Sequence, residues 1–423
     1  MALFAQWKTG KGLNAMTQDE DVLLASRTRF DFDTVVDRTC SNSLKWRGLA
    51  DATTAVNAQA RPLPMWVADM DFRSPPAVID ALHDAVAHGV YGYAAGPTKG
   101  YLDAVTGWQQ RRFGWDVPPG WVVPIASVIV ALKTIVQAFS QPGDSVLIQP
   151  PVYMHFHHDV MVNGRHPTTA PLRFDGERYR FDAQVFEDAI RDNTRIFVLS
   201  NPHNPTGNVW TEEELWTMGE ICLKHGVLVV ADEIHCDFVL AHGRKHTPFA
   251  SLDRRFAHNS ITCTSASKTF NLAGLQCGNM FIADKVKRDE IMRTIERNHN
   301  ARINLLGMVA TEAAFTHGDD WVDELVAYVA RNQRHFAERI NALDAGLKAI
   351  DMDSLYLAWI DCRGLGMTPD ALDEFLLVNA RVWLDKGTKF GGEGHGFMRA
   401  NLGCSRQTVD LAIERISKAL AQH

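Results

Sequence analysis

RIFVLSNPHNPTG (Arg195–Gly207), GVLVVADEIH (Gly226–His235) and SITCTSASKTFNLAGL (Ser260–Leu275) are the stretches that decide the fold. Each opens on a β-branched, apolar run of strand length and closes on proline, asparagine, glycine or charge. Helical segments lie between them, the alternation of an α/β domain with a largely parallel sheet. Working outward, the predicted strands are Ser145–Gln149, Arg195–Leu199, Val227–Ala231, Ser260–Thr264 and Asn279–Ala283. The first four run directly into PPVYMHF, SNPHNPTG, DEIHCDF and SASKTFNLAG. Ligands of open α/β sheets bind at the carboxyl ends of strands, so these four clusters are expected to converge on one pocket.

Further out, a long helical stretch is predicted from Met308 to Lys348, followed by strand-like segments at Ser354–Ile360 and Phe397–Leu402. We expect a large domain over 76–307, and a smaller one assembled from 31–75 and 308–423. Residues 1–30 read as an extension or arm, and 50–60 as a surface loop before Pro62 and Pro64. A length of 423 residues suits two such domains.

Composition narrows the class. With 46% hydrophobic and 22% charged residues, the chain has the make-up of a globular protein. Its net charge of -7, from 50 acidic and 43 basic side chains, comes without the basic stripe that nucleic acid requires. No run approaches the length of a membrane span, and the N-terminus does not read as a secretory signal. Seven cysteines, an odd number without a C-x-x-C pair, fit a reducing compartment; the expected location is the cytosol.

Lys268, behind two serines and an alanine at the end of an apolar run, is a poor choice for a solvated surface; buried, it becomes a nucleophile toward carbonyls. Asp232 at the end of GVLVVAD can hold a proton on a pyridine nitrogen or simply cap a turn. Asn204 can present an amide to a phenolic oxygen or merely shape an Asn-Pro turn. Tyr153 can stack on a planar ring or fill core. Ser265 and Ser267 offer hydroxyls to a phosphate, and the helix beginning in ASVIVAL offers the free N–H groups of Val128 and Ile129, with Ser127 as its cap. Arg399 can clamp a carboxylate or form a salt bridge. The run HFHHD (His155–Asp159) lacks the companions of a metal motif, and no metal is expected.

In order and spacing these motifs resemble the fold-type I pyridoxal-5'-phosphate enzymes of the aspartate aminotransferase superfamily: Asn204 precedes Asp232 by 28 residues, Asp232 precedes Lys268 by 36, and R-x-N-L-G lies near the end. FDFDTVVDR, PMWVADMDF (Pro64–Phe72), YGY (Tyr91–Tyr93), DEIH, SKTFNLAGL and FGGEGHGFMRANLG are most similar to the cystathionine β-lyase-like C–S lyases of the MalY/PatB type. The resemblance implies an α/β fold with a mostly parallel seven-stranded sheet and a smaller α/β domain. It implies that Lys268 bonds covalently to the cofactor and moves the substrate's Cα proton, and that Asp232 pairs with the ring nitrogen. Asn204 and His235 would sit near the phenolic oxygen and Tyr153 on the ring. Ser265, Ser267 and the Val128 and Ile129 amides would hold the phosphate, and Tyr93 would reach it from the neighbouring subunit of a homodimer. Arg399 and Ala68 would contact the amino-acid substrate. Gln276 stands eight residues after the lysine where aspartate aminotransferases carry arginine, and Ser127 where glycine is usual. The implied reaction is β-elimination from cystathionine or another cysteine S-conjugate. The alternatives are transamination at the same site, or a regulatory protein that keeps the fold.

Overall fold

A computed structural model describes residues 29–39, 41–47, 61–298 and 303–422. The expected extension over 1–30, except for Arg29 and Phe30, and the expected loop over 50–60 lie outside the described residues.

The larger sheet has seven strands: β1 (Val122–Ile125), β2 (Ser145–Ile148), β3 (His166–Thr169), β4 (Thr194–Ser200), β5 (Leu228–Asp232), β6 (Ser260–Thr264) and β7 (Gly278–Phe281), in the order β1-β7-β6-β5-β4-β2-β3. Only β7 runs against its neighbours; the other pairings are parallel. Every residue of β2, β5 and β6 is buried, which is why these strands are continuous apolar runs rather than alternating ones. Their cover includes α1 (Val128–Phe139), whose Val128, Ala131, Leu132 and Ile135 join the core of the sheet with Ile196 and Val230. The helix between β4 and β5, α2 (Glu212–His225), starts on a capping box formed by Thr211 and Glu214 and stops at Gly226 in the left-handed conformation.

Register sets up the site. Ser200 is paired with Asp232, and Asp232 with Cys263, so β4, β5 and β6 end level with one another. The polar cluster after each strand is thereby delivered to one edge.

The smaller sheet is antiparallel and four-stranded: β8 (Lys348–Ala349), β9 (Leu357–Asp361), β10 (Asp385–Lys386) and β11 (Phe397–Asn401), in the order β8-β9-β11-β10. A second apolar core gathers Met65, Phe336, Ile360, Val382, Met398 and Ile413 around it. The described residues from Phe32 onward form one compact unit, and none of their helices is long and apolar enough to cross a membrane.

Two expectations are corrected. The helical stretch over 308–348 is two helices, α3 (Leu305–His317) and α4 (Asp319–Asn341), and Lys348 lies in β8. They part at Gly318, where a Cβ would strike the ring of Phe270 and the carbonyl of Ala314. The predicted strand Asn279–Ala283 lies instead at Gly278–Phe281, antiparallel between β1 and β6.

The loop from β10 to β11 closes on itself through two glycines: a Cβ on Gly387 would collide with the carbonyls of Gly394 and Phe397, and one on Gly394 with the carbonyl of Gly387. Backbone cannot yield as a side chain can. Gly387→Ala is expected to lower stability by about 2–4 kcal/mol in denaturant unfolding, whereas Gly392→Ala, whose Cβ would meet nothing within 4 Å, leaves the midpoint unchanged. Equal midpoints for the two variants would contradict this packing.

Candidate active site

The strand ends open into a cavity of ≈ 250 Å³. Lys268, Asp232, Asn204, His235, Tyr153, Val128, Ile129, Ser265, Ser267, Arg399 and Ala68 all line it, so every predicted site residue but one is brought together. The exception is Tyr93, which does not line the cavity and is 87% exposed in this chain.

Lys268 sits in a one-turn helix, Ala266–Thr269, capped by the Ser265 hydroxyl accepting from Ser267 N–H at 3.0 Å. Its Nζ donates to the Ala68 carbonyl at 2.7 Å. That carbonyl belongs to a strap laid across from the second sheet. Asn401 Nδ2 donates to the carbonyls of Val67 and Asp69, and Lys45 bonds Asp69 O and Asp71. Burial, reinforced by the positive charge of Arg399, pushes the Lys268 amine down to about 8, against the opposing pull of Asp69 and Asp232. Below the cavity, burial drives Asp232 up to about 7, with the Ile234 N–H and Lys268 pulling the other way. The cleft therefore holds an amine and an acid that both titrate near neutrality.

Asn204 Oδ1 accepts from Arg399 Nη1 at 3.0 Å. A guanidinium only donates, so the amide oxygen must face it, and the Asn204 NH₂ is left to donate elsewhere. His235 is buried with Nδ1 unpartnered; burial, then the charges of Lys268 and Arg399, hold the ring well below the usual histidine range and so neutral. Tyr153 lies at the start of the helix Met154–Val162, and burial pushes its hydroxyl up to about 12, so it presents a neutral ring.

At the other end of the cavity, α1 begins. Ser127 accepts from Val130 N–H at 3.2 Å, which makes it the cap, while Val128 and Ile129 occupy the first turn, where N–H groups have no carbonyl within the helix. The Ser265 hydroxyl donates to the Cys277 carbonyl at 2.6 Å, so it must turn from that bond before donating to a phosphate. Gln276, at φ +49, lines the same end without adding charge.

Arg399 is buried on β11, opposite Asp385 on β10, and Nη2 donates to Asp385 Oδ2 at 2.8 Å and to Trp66 O at 3.1 Å. Its Nε has no partner. Asp385 and Trp66 line the cavity and escaped the sequence reading of candidate residues. A carboxylate directly after the apolar run VWL (Val382–Leu384), and itself followed by Lys386, carries no signal that separates it from a surface turn. In HFHHD, Nδ1 of His155 and His158 lie 3.3 and 3.1 Å from one Asp159 oxygen, which also faces Lys133 Nζ at 3.5 Å. A cation there would displace that ammonium.

The donor set fits pyridoxal phosphate: an amine close to neutral, an acid buried opposite it, an amide and an orphaned imidazole nitrogen, and a helix N-terminus beside Ser267.

Residues 71–416 match the family model described as aminotransferase class I and II. The chain is 42% identical over 392 residues to cystathionine beta-lyase PatB of Bacillus subtilis, covering 92% of this chain and 100% of that one. It is 31% identical to protein MalY of Escherichia coli over 92% of this chain and 99% of that one. Cystalysin from Treponema denticola, whose crystal structure contains a pyridoxal 5'-phosphate cofactor, superposes with a TM-score of 0.89 at 32% identity, covering 93% of this chain and 100% of that one.

Two predictions test these electrostatics on the cofactor-free protein. Only the neutral amine is acylated, so pulse labelling with acetic anhydride should modify Lys268 half-maximally near pH 8, whereas a model lysine peptide, at about 10.4, requires far higher pH. Mass spectrometry reads the site, and a Lys268 profile matching the peptide would contradict its burial. Because the folded-state pKa of Asp232 is raised from 3.8 to about 7, its carboxylate costs nothing below pH 4 and destabilises the fold progressively as pH rises through 7. Asp232→Asn should therefore melt a few degrees above the wild-type apoprotein at pH 8 and together with it near pH 4. A variant that melts lower at pH 8 would show that the anion is compensated.

Proposed function

The chain belongs to the aminotransferase class I and II family, and we propose that it is a carbon–sulfur lyase that splits L-cystathionine, or a related cysteine S-conjugate, into a thiol, pyruvate and ammonia. Two things support lyase over transaminase: the full-length similarity to PatB, and the charge inventory of the cleft. Among the described residues lining it, the cations are Lys268 and Arg399. A transaminase that takes 2-oxoglutarate must neutralise two carboxylates, and after Arg399 binds one, the described residues of this chain that line the cleft offer no cation other than the reacting amine.

Pyridoxal phosphate, held by Lys268, Asp232, Asn204, His235, Tyr153, Ser267, Ser265 and the Val128 and Ile129 amides, supplies the electron sink that acidifies the substrate's Cα–H. The remaining work belongs to the chain. Arg399 binds the α-carboxylate and orients the substrate so that Cα–H faces Lys268. Lys268, an amine brought down to about 8, removes that proton as general base. Asp232, buried at the end of β5 and lining the cavity, would hold the proton of the cofactor's ring nitrogen. The Cβ–S bond breaks and the thiolate leaves readily, a thiol being acidic at about pKa 8.5. Overall RSCH₂CH(NH₃⁺)COO⁻ and water give RSH, pyruvate and NH₄⁺, with no oxidant or amino acceptor.

Tyr93 completes the site in a homodimer, donated by a second copy. Its exposure, beside that of Val86, Val90 and Tyr91, supports this. A cytosolic location is supported by the six described cysteines, all buried and unpaired.

Purified protein given L-cystathionine without a keto acid should release thiol and pyruvate in equal amounts, and Lys268→Ala should lower that rate by about 10³-fold. Amino transfer to 2-oxoglutarate without thiol release would replace the lyase by the transaminase.

A further inference from the structure

We propose that Asp385 and Lys389 are positioning residues for Arg399: Asp385 fixes the guanidinium, and Lys389 cancels the charge of Asp385, so that the cleft offers one net positive charge to a substrate carboxylate. This rests on the reading of Arg399 as the carboxylate site.

The arrangement follows from strand register. Asp385 and Arg399 are directly opposite one another on antiparallel β10 and β11, which puts their side chains on one face. The pair is closed off from water, Asp385 at 1% and Arg399 at 2% exposure, with Phe390 packed on the guanidinium at 4.7 Å. Of the five N–H groups of Arg399, Nη2 spends two on Asp385 and Trp66, and Nη1 spends one on Asn204. The guanidinium is thus held from three sides, which leaves its buried Nε and the second N–H of Nη1 without a protein partner.

A buried Arg–Asp pair alone is a weak anion site, because an approaching carboxylate meets an attraction and a repulsion of similar size. Lys389 corrects this. Four residues after Asp385, on the turn Gly387–Phe390, it places Nζ 2.7 Å from Asp385 Oδ1, the oxygen that Arg399 does not use. Its side chain stays 40% exposed and lies over the Trp66 ring at 5.6 Å, at the outer side of the pair. Asp385 is then shared by two cations, and the three groups together carry a charge of plus one. Charge compensation and simple packing on Trp66 predict different variants, so the two can be separated.

The probe is 3-(methylsulfanyl)propanoate, a carboxylate with no amino group to react, compared with its neutral amide, each titrated against the holoenzyme by ligand-observed NMR. The wild type should bind the acid more tightly than the amide. Lys389→Met should weaken the acid about tenfold and leave the amide unchanged, a discounted Coulomb effect for a half-exposed charge, and Lys389→Arg should keep wild-type affinity. The double variant Asp385→Asn with Lys389→Met, again plus one, should recover the acid. Melting curves confirm that each variant is folded, and the lysine variants alone suffice if the double variant is not. Unchanged acid binding in Lys389→Met, or a folded double variant as weak as the single, overturns the proposal. A wild type indifferent between acid and amide overturns the carboxylate role of Arg399 and this inference with it.

Discussion

The hydrogen bond from Lys268 Nζ to the Ala68 carbonyl, 2.7 Å long, joins two walls of the cavity. The amine comes from the edge of the seven-stranded sheet, the carbonyl from a strap pinned by Asn401 and Lys45 on the side of the second core. An ammonium withdrawn from water must be either compensated or discharged. Here it is given one carbonyl and the unfavourable field of Arg399, so neutrality comes within reach at ordinary pH. The same lack of water raises Asp232, and the two shifts have one cause.

Such a cleft costs stability, and the segments around it are extensively hydrogen-bonded. Asp237, buried behind the lysine turn, accepts from Thr269 at 2.6 Å and from Trp108 at 3.2 Å, which fixes the helix that carries Lys268. Glu233, beside Asp232, is bonded to Asn201, His246 and the Phe249 N–H. Each acid of the DEIHCD segment thus has its own partners, and only Asp232 is left facing the cavity. Arg399 is anchored in the same way, by Asp385, the Trp66 carbonyl and Asn204.

Much of this was legible along the chain. Asp232 closes an apolar strand, Asn204 and Lys268 each follow one by four residues, and parallel strands that end level must present their next residues together. The first turn of α1 was legible for a similar reason, since a serine before an apolar helical run is a cap, and N–H groups beyond a cap are unsatisfied. Asp385 was not legible. Its relation to Arg399 depends on a cross-strand register set across the connection Gly387–Gly396, and nothing in periodicity specifies where such a loop returns. The break at Gly318 was missed for a related reason, because the glycine is demanded by the ring of Phe270, far away in sequence.

The sequence by itself determined the class of sheet, the edge at which chemistry collects and the strand-end clusters that reach it, because these follow from local pattern and from the one geometry that parallel strands permit. Only the tertiary structure decided the protonation behaviour of Lys268 and Asp232, the commitment of the Ser265 hydroxyl to Cys277, and the pairing of Arg399 with Asp385. Those depend on desolvation and on contacts between distant segments, and a linear chain carries no measure of which of its charges will lose their water.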